Sequence, residues 1–450
     1  MHRPRFRRSR RLTAVLASTA AAVLLAASCS GSSEGTGADD DPGKKATITF
    51  WHGWSQDHEV EAINQLIAKF NATHPNITVK ATPNVTDDKL VQGVRSKNGP
   101  DVVSSFTTDN VGQFCSSGGW VDLAPFLAKS GIDPAATFPK ATLDYTQFQG
   151  KRCALPFLAD AYGLYYNKDM FAAAGITAPP KTMSEFKATA AKLQQYNPDG
   201  SIKVAGVMPT FHGYEFTPAH AMAQWGPSYV GPDGKSNLAT DPRPEQFLTY
   251  HKELVDALGG FDKLEKFRSG FGDEFSAQNP FQVGQVAMQL DGEWRTASIA
   301  EEAPDLKYGT APLPVPDDQA DKYGRGYLTG TVIGIAKSSH RQAAAWEFVK
   351  FLTTDTDAVN AFAATIHNVP TTFAALASTP LANDEHFKPF LDIFKSPHSN
   401  TTPASINGGK YQVTFQEFCY GWEAGRVPDL KAGLAGVDRQ IDADTAQAGR

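Results

Sequence analysis

Apolar and polar residues alternate along Ala46-Thr-Ile-Thr-Phe-Trp-His-Gly-Trp, with Ile48, Phe50 and His52 on one side, until Gly53 opens a turn. Alternation at period two that ends in glycine predicts a strand. The pattern then becomes helical. Val60, Ile63, Ile67 and Phe70 share one face of a helix that stops near Asn71. Ile77, Val79 and Ala81 alternate again. A β-α-β order predicts parallel strands joined by a right-handed crossover, with ligands beyond the carboxyl ends of the strands. His52 and Trp54 fall in that place. Gly99-Pro-Asp101 reads as a turn before another strand. Asp101 is read as folding back on backbone amides, and Phe106 and Asp109 leave the far end toward the same cleft.

The stretch 155–169 is β-rich from Tyr162 to Tyr166 and meets a helix start at Asp169. Pro156 and Gly163 predict a bend there rather than a central ladder position. It reads as a strand crossing between two lobes, with Asp160 at the mouth. Beyond it, Thr182-Met-Ser-Glu185 is a capping box ahead of Phe186, Ala190 and Leu193. Val204–Met208 predicts a strand, and 212–225 is aromatic and irregular, with Tyr214 and Trp225. Phe281–Leu290 runs into Asp291-Gly-Glu-Trp294. Strands are expected near 308 and over 326–336, where Gly330 would allow a close approach of backbone or ligand. Tyr411, Phe415, Phe418 and Trp422 fall on one helical face.

Leu155-Pro156, with Gly163-Leu-Tyr-Tyr-Asn-Lys-Asp-Met-Phe171, resembles the hinge segment of the sugar-binding proteins of bacterial ABC importers. This is the extracellular solute-binding protein family 1, which includes the maltose-binding protein. The resemblance implies an α/β fold of the two-lobe periplasmic-binding type (class II), each lobe a mostly parallel sheet flanked by helices, with several hinge crossings. It places residues 46–161 and 328–397 in the first lobe, and 162–327 and 398–450 in the second. The implied ligand set is His52, Trp54, Phe106, Asp109, Asp160, Tyr214 (or its neighbour Glu215), Trp294, Gly330, Asn368 and Tyr411. Such a set suits sugars. Pyranose C–H faces pack on aromatic rings, and carboxylates accept the hydroxyl donors. Lobe closure would exclude water and present the closed form to a membrane permease.

Composition narrows the classes. The 450 residues carry a formal charge of −6. Six Arg and no acid in the first 28 leave −12 on the rest, which disfavours nucleic acid. The same acidity disfavours a phosphorylated ligand, because Asp109 and Asp160 would repel it and the first-lobe loops bring no Arg. A neutral mono- or oligosaccharide is expected. Arg3–Arg11 and the apolar run Leu12–Ala27 form an export signal, by the general secretory or the twin-arginine route. Small residues before Cys29 resemble a lipoprotein cleavage site, so residues 1–28 would be removed and Cys29 lipidated. Residues 29–45 read as a tether holding the body at the outer face of the membrane. Among the remaining cysteines, the lobe assignment favours a Cys115–Cys153 disulfide over pairing with Cys419, which sits on an apolar helical face. Metal-ligand spacing, a phosphate loop and a nucleophile elbow are absent from the sequence. A monomeric binding protein with no cofactor is expected. A glycosidase built on paired carboxylates is the enzyme alternative, and an adhesive surface protein the third reading.

Overall fold

The computed structural model of the protein describes residues 41, 43–96 and 98–449. The leader at 1–28, Cys29 and the tether as far as residue 40 lie outside the described residues. The described chain is α/β. Its strands are β1 (Ala46–Trp51), β2 (Ile77–Thr82), β3 (Val102–Ser105), β4 (Leu155–Asn167), β5 (Gln195–Tyr196), β6 (Ile202–Val207), β7 (Val286–Gly292), β8 (Tyr308–Ala311), β9 (Leu328–Ile335) and β10 (Val369–Pro370). They lie in the order β2-β1-β3-β9-β4-β7-β6-β5, with β8 and β10 also paired to β4.

The opening β-α-β unit forms as its pattern predicts. β1 runs parallel to β2 from Ala46↔Ile77 to Trp51↔Thr82, and parallel to β3. The helix between them, Asp57–Thr73, buries Ile63, Leu66, Ile67 and Phe70. Phe50, Phe70 and Phe348 meet edge to face at 5.1–5.3 Å, an arrangement that adds about 1 kcal/mol per pair beyond the area buried. The sheet as a whole is mixed, where mostly parallel sheets were expected. β6 and β7 are parallel, but β9 runs antiparallel to both β3 and β4, and β4 is antiparallel to β7, β8 and β10. A strand that crosses and a strand that returns must run in opposite directions, and this produces the antiparallel pairs.

β4 corrects a second expectation. It is a thirteen-residue central strand with nearly every residue buried. Its first half pairs with β9 and β10, and its second half with β7 and β8. The ladder tolerates Pro156 because the register shifts between Pro156 and Leu158, a bulge where the missing N–H does no harm. It tolerates Gly163 because that position is crowded. A Cβ there would stand 2.7 Å from the Phe390 ring and 3.1 Å from the Ala311 carbonyl.

The largest buried clusters divide at β4. One gathers side chains from 48–158 and 333–366, the other from 162–327 and 411–441. A third, with Tyr165, Phe281, Phe387 and Phe390, packs along β4 itself. The Thr182–Glu185 capping box is present. Cys115 is bonded to Cys153 across a Cα–Cα distance of 5.5 Å, and Cys419 is a free, buried thiol.

Candidate functional site

The site grows from the middle of β4. Asp160 faces Thr329 of β9 in the ladder, and its Oδ1 accepts a hydrogen bond of 2.7 Å from Asn368 Nδ2. The same nitrogen donates to Glu293 Oε1, also at 2.7 Å. Glu293 Oε2 accepts the Ala161 backbone N–H at 2.8 Å. One buried amide therefore holds two buried carboxyl groups. Burial, together with repulsion from Glu215, pushes Asp160 up to about 7. Burial and the nearby Asp160 push Glu293 well above the usual carboxylate range. Desolvation penalises the charged form, and neighbouring negative charge adds to that penalty.

Aromatic rings wall this polar centre. Tyr162 lies two residues past Asp160, and its ring centroid is 4.1 Å from His220 and 5.5 Å from both Trp294 and Tyr327. Trp294 comes from the turn after β7 and folds back over Gly292, where a Cβ would stand 2.2 Å from the indole. His220 Nδ1 contacts Glu215, both its carbonyl at 2.9 Å and its carboxylate at 3.3 Å. On the far side, Tyr327 Oη pairs with Thr402 Oγ1 at 2.9 Å. The Tyr327 hydroxyl is pushed up by burial and by the negative charge of Asp109 and Asp160.

Asp109 begins the helix Asp109–Ser117, and its Oδ1 accepts from Gln412 Nε2 at 2.6 Å. Burial raises Asp109 as well. Tyr411 is buried, donates to the Pro403 carbonyl at 2.8 Å and meets Tyr229 edge to face at 5.7 Å. Trp294 Nε1, Tyr145 Oη and Tyr229 Oη are buried with no hydrogen-bond partner among the described residues. Tyr145 Oη lies beside the β4–β9 ladder, where a Cβ on Gly330, the partner of Ala159, would stand 3.0 Å from it, and burial and Asp160 both raise Tyr145. Unsatisfied buried donors of this kind call for a ligand or a water.

The structure thus gathers Asp160, Asn368 and Trp294, with Asp109 and Tyr411 beyond Tyr327. It draws other expected residues away. His52 is 1% exposed with neither ring nitrogen partnered among the described residues, and burial lowers its pKa to about 4. Trp54 is 3% exposed and packs edge-on against Phe157 and Phe362. Both belong to the core beneath β1, because the alternation that points Ile48 and Phe50 inward carries on into the turn. Gly330 serves the ladder itself. A Cβ there would stand 2.4 Å from the Leu158 carbonyl. Tyr214 donates to the Gly272 carbonyl at 2.7 Å and lies along Phe271. Its neighbour Glu215 is the residue whose charge reaches Asp160. Phe106 is 43% exposed at the rim. Tyr145, Tyr162, His220, Glu293 and Tyr327 were not singled out from sequence. Tyr162 stood inside the hinge run, His220 inside the aromatic stretch 212–225, Glu293 inside Asp291-Gly-Glu-Trp294 and Tyr327 inside the expected strand 326–336, while Tyr145 stood in no block that drew notice.

A family model described as bacterial extracellular solute-binding protein matches residues 65–389. A binding protein of Brucella abortus (strain 2308) is 31% identical over 217 residues, 48% of this chain and 50% of that one. The chain thus spans about half the length of that relative. The maltotriose-binding protein of Pyrococcus abyssi is 23% identical over 349 residues, 75% of this chain and 69% of the other. The sn-glycerol-3-phosphate-binding periplasmic protein of Brucella abortus (strain 2308) is 25% identical over 278 residues, 59% and 61% of the two chains. Among solved structures, CpMnBP1 with mannotriose bound superposes with a TM-score of 0.78 at 25% identity, over 88% of this chain and all of that one.

Proposed function

The chain belongs to the bacterial extracellular solute-binding protein family, and from that premise we propose that it is the carbohydrate-capturing component of an ABC importer. It closes two lobes, 46–161 with 328–397 and 162–327 with 398–450, over a neutral sugar and delivers it to a membrane permease. It acts as a monomer at the outer face of the membrane, exported by the leader at 1–28 and held through a lipid on Cys29.

The observation that carries the reading is the centre at Asp160. Carboxyl oxygens, unpartnered N–H and O–H donors and the rings of Tyr162 and Trp294 converge there. A pyranose offers hydroxyls that donate and accept, together with an apolar face for the rings. The charge acting on Asp160 is that of another carboxylate, Glu215, and negative charge at the centre repels phosphate. This favours a sugar over glycerol phosphate.

Paired carboxyls also raise the hydrolase reading. Asp160 Oδ1 and Glu293 Oε1 share one donor, so they are no further apart than about twice 2.7 Å, close to retaining-glycosidase spacing. Both Glu293 oxygens, however, are bonded to protein, and the residue is fully buried. Glu293 supports Asn368 and β4 rather than reaching a glycosidic oxygen, so the chain is read as a binding protein and not an enzyme.

Thermal unfolding of the protein against neutral sugars and glycerol phosphates tests this. A ligand at 100 times its dissociation constant adds about 2.7 kcal/mol. A rise in Tm with a neutral sugar, without turnover, is the expected outcome. A rise with glycerol phosphate alone, or release of product, overturns the reading.

A further inference from the structure

The helix Asp109–Ser117 carries a buried glycine, Gly112. Glycine inside a helix is unfavourable next to alanine, because it loses more freedom on folding, so the position needs a reason. That reason lies far along the chain. A Cβ on Gly112 would stand 2.1 Å from the Ser405 carbonyl oxygen and 2.8 Å from the Ser405 nitrogen. Backbone meets backbone there, with no room for a side chain. Two more glycines flank the contact. A Cβ on Gly408 would stand 2.7 Å from Gln113 Oε1, and one on Gly409 would stand 2.7 Å from Asp109 Oδ2. Both glycines have positive φ, 68° and 76°, which a side chain would strain. Gln412 Nε2 completes the contact by donating to Asp109 Oδ1 at 2.6 Å.

The turn that makes this contact holds its own shape. Ser405 Oγ accepts the Gly409 N–H at 2.9 Å and donates to Asn407 Oδ1 at 2.9 Å. The Tyr411 hydroxyl closes the turn by donating to the Pro403 carbonyl at 2.8 Å. The facing helix is held separately, through Val111, Phe114 and Cys115 in one buried cluster and through the Cys115–Cys153 bond. Tyr411 and Phe415 belong to the other side, the cluster drawn from 162–327 and 411–441. Two rigid pieces, each joined to a different buried cluster, therefore meet through glycine backbone and one amide–carboxylate bond. Such a contact has no long side chains to stretch, so it is made or lost as a whole.

We propose that the turn Ser405–Gly409 is a latch that docks on the helix Asp109–Ser117 as the lobes close, and that Asp109 and Gln412 are positioning residues of this latch rather than sugar contacts. The inference rests on the two-lobe reading above. Gln412 takes one Asp109 oxygen and the backbone of Gly409 crowds the other, so the carboxylate is spent on the turn. The latch acts on sugar affinity through the stability of the closed form. Affinity then depends on residues that the sugar never touches.

Calorimetry and X-ray scattering with gluco- and manno-configured sugars of one to four hexose units test it. Gly112→Val should lower affinity at least tenfold and keep the radius of gyration at its sugar-free value. Asp109→Ala and Gln412→Ala should each weaken binding about fivefold, and the double variant no more than either one, because they remove the same bond. A cross-link gives a readout that needs no sugar. A Cβ on Gly408 would stand 3.5 Å from Gln113 Cβ, within the span of about 3.5–4.5 Å that a disulfide bridges. Gln113→Cys with Gly408→Cys should therefore bond on oxidation, as mass mapping reads, and fix the smaller radius. A Gly112→Val protein that binds and closes like wild type, additive losses at Asp109 and Gln412, or an introduced pair that does not bond overturns the latch and leaves the two-lobe reading standing. A wild type whose radius never changes with bound sugar overturns both. If none of these sugars binds, the carbohydrate reading fails, and the cross-link with its fall in radius alone decides the latch.

Discussion

Asn368 donates both hydrogens of its amide to carboxyl groups, and Asp160 and Glu293 would repel each other without it. The folded state raises Asp160 to about 7 from an ordinary value near 3.8. A raised carboxyl binds more protons folded than unfolded, so stability falls as pH rises through that window. The raised Glu293 acts in the same direction. Unliganded protein is therefore expected to lose Tm between about pH 4 and pH 7, and Asp160→Asn should flatten that slope. Parallel melting curves for wild type and variant across the window would refute the assignment. The same substitution removes a charged acceptor, worth about 1.5–3 kcal/mol in a hydrogen bond. Sugar affinity should then drop between about tenfold and a hundredfold, read by calorimetry at pH 8, where Asp160 is ionised.

Trp294 owes its place to the element that follows it. The helix Arg295–Glu302 opens with a fully buried arginine. Arg295 Nε donates to Asp291 Oδ2 at 2.8 Å, and its other nitrogens reach the Glu274 carbonyl and carboxylate at 3.0 and 3.1 Å. The Phe275 ring lies 5.2 Å from the guanidinium. Removing one member of such a network leaves an uncompensated buried charge, which costs about 3–5 kcal/mol. Denaturant unfolding of Arg295→Ala should show a loss of that size, and Arg295→Met with Asp291→Leu together should lose less. A single-variant loss below about 1 kcal/mol would mean the network is not closed. The Cys115–Cys153 bond works at the same scale, tying the helix Asp109–Ser117 to the entry of β4. It closes a loop of 38 residues, for which chain entropy allows about 4 kcal/mol. Cys153→Ser should lower Tm, and reductant should lower the wild type toward the variant. These elements differ in how legible they were. The β1-helix-β2 unit and the Thr182–Glu185 box were readable because both are local patterns of period and cap. β4 was misread as a bend because Pro156 and Gly163 obey a bulge and the Phe390 ring, contacts made far along the chain. His52 and Trp54 were drawn toward the site by their position after a strand, and only packing, of Trp54 against Phe157 and Phe362 and of His52 against Phe50 and Trp54, shows them inside. Arg295, an arginine with no exposed surface, carries no signal in the sequence that its partners lie at 274 and 291.

At the scale of the molecule, the two groups of buried side chains meet through β4 and a few contacts of unequal weight. Gln412 reaches Asp109, Thr296 Oγ1 reaches His367 Nδ1 at 2.7 Å, and Asn368 reaches Glu293. His58 and Glu301 approach to 3.7 Å at the surface, where an exposed ion pair adds about 0–1 kcal/mol. These contacts are polar, while the apolar cluster of Tyr165, Phe281, Phe387 and Phe390 lies along β4 itself, so in the proposed closure that apolar seam stays packed and a ligand tips only the polar contacts. A ligand shifts such an equilibrium only by its preference for the closed form, and under the proposed function a sugar that touched Asp160 and Trp294 at once would have that preference. X-ray scattering should therefore give a smaller radius of gyration for the sugar-bound protein than for the free one. Glu301→Gln should leave that difference intact, because the exposed pair contributes little, while Asp160→Asn should raise the sugar concentration needed to produce it. A melting shift with bound sugar but no change in radius would mean the site is already closed without ligand, and the two-lobe mechanism would fail while the binding site survived.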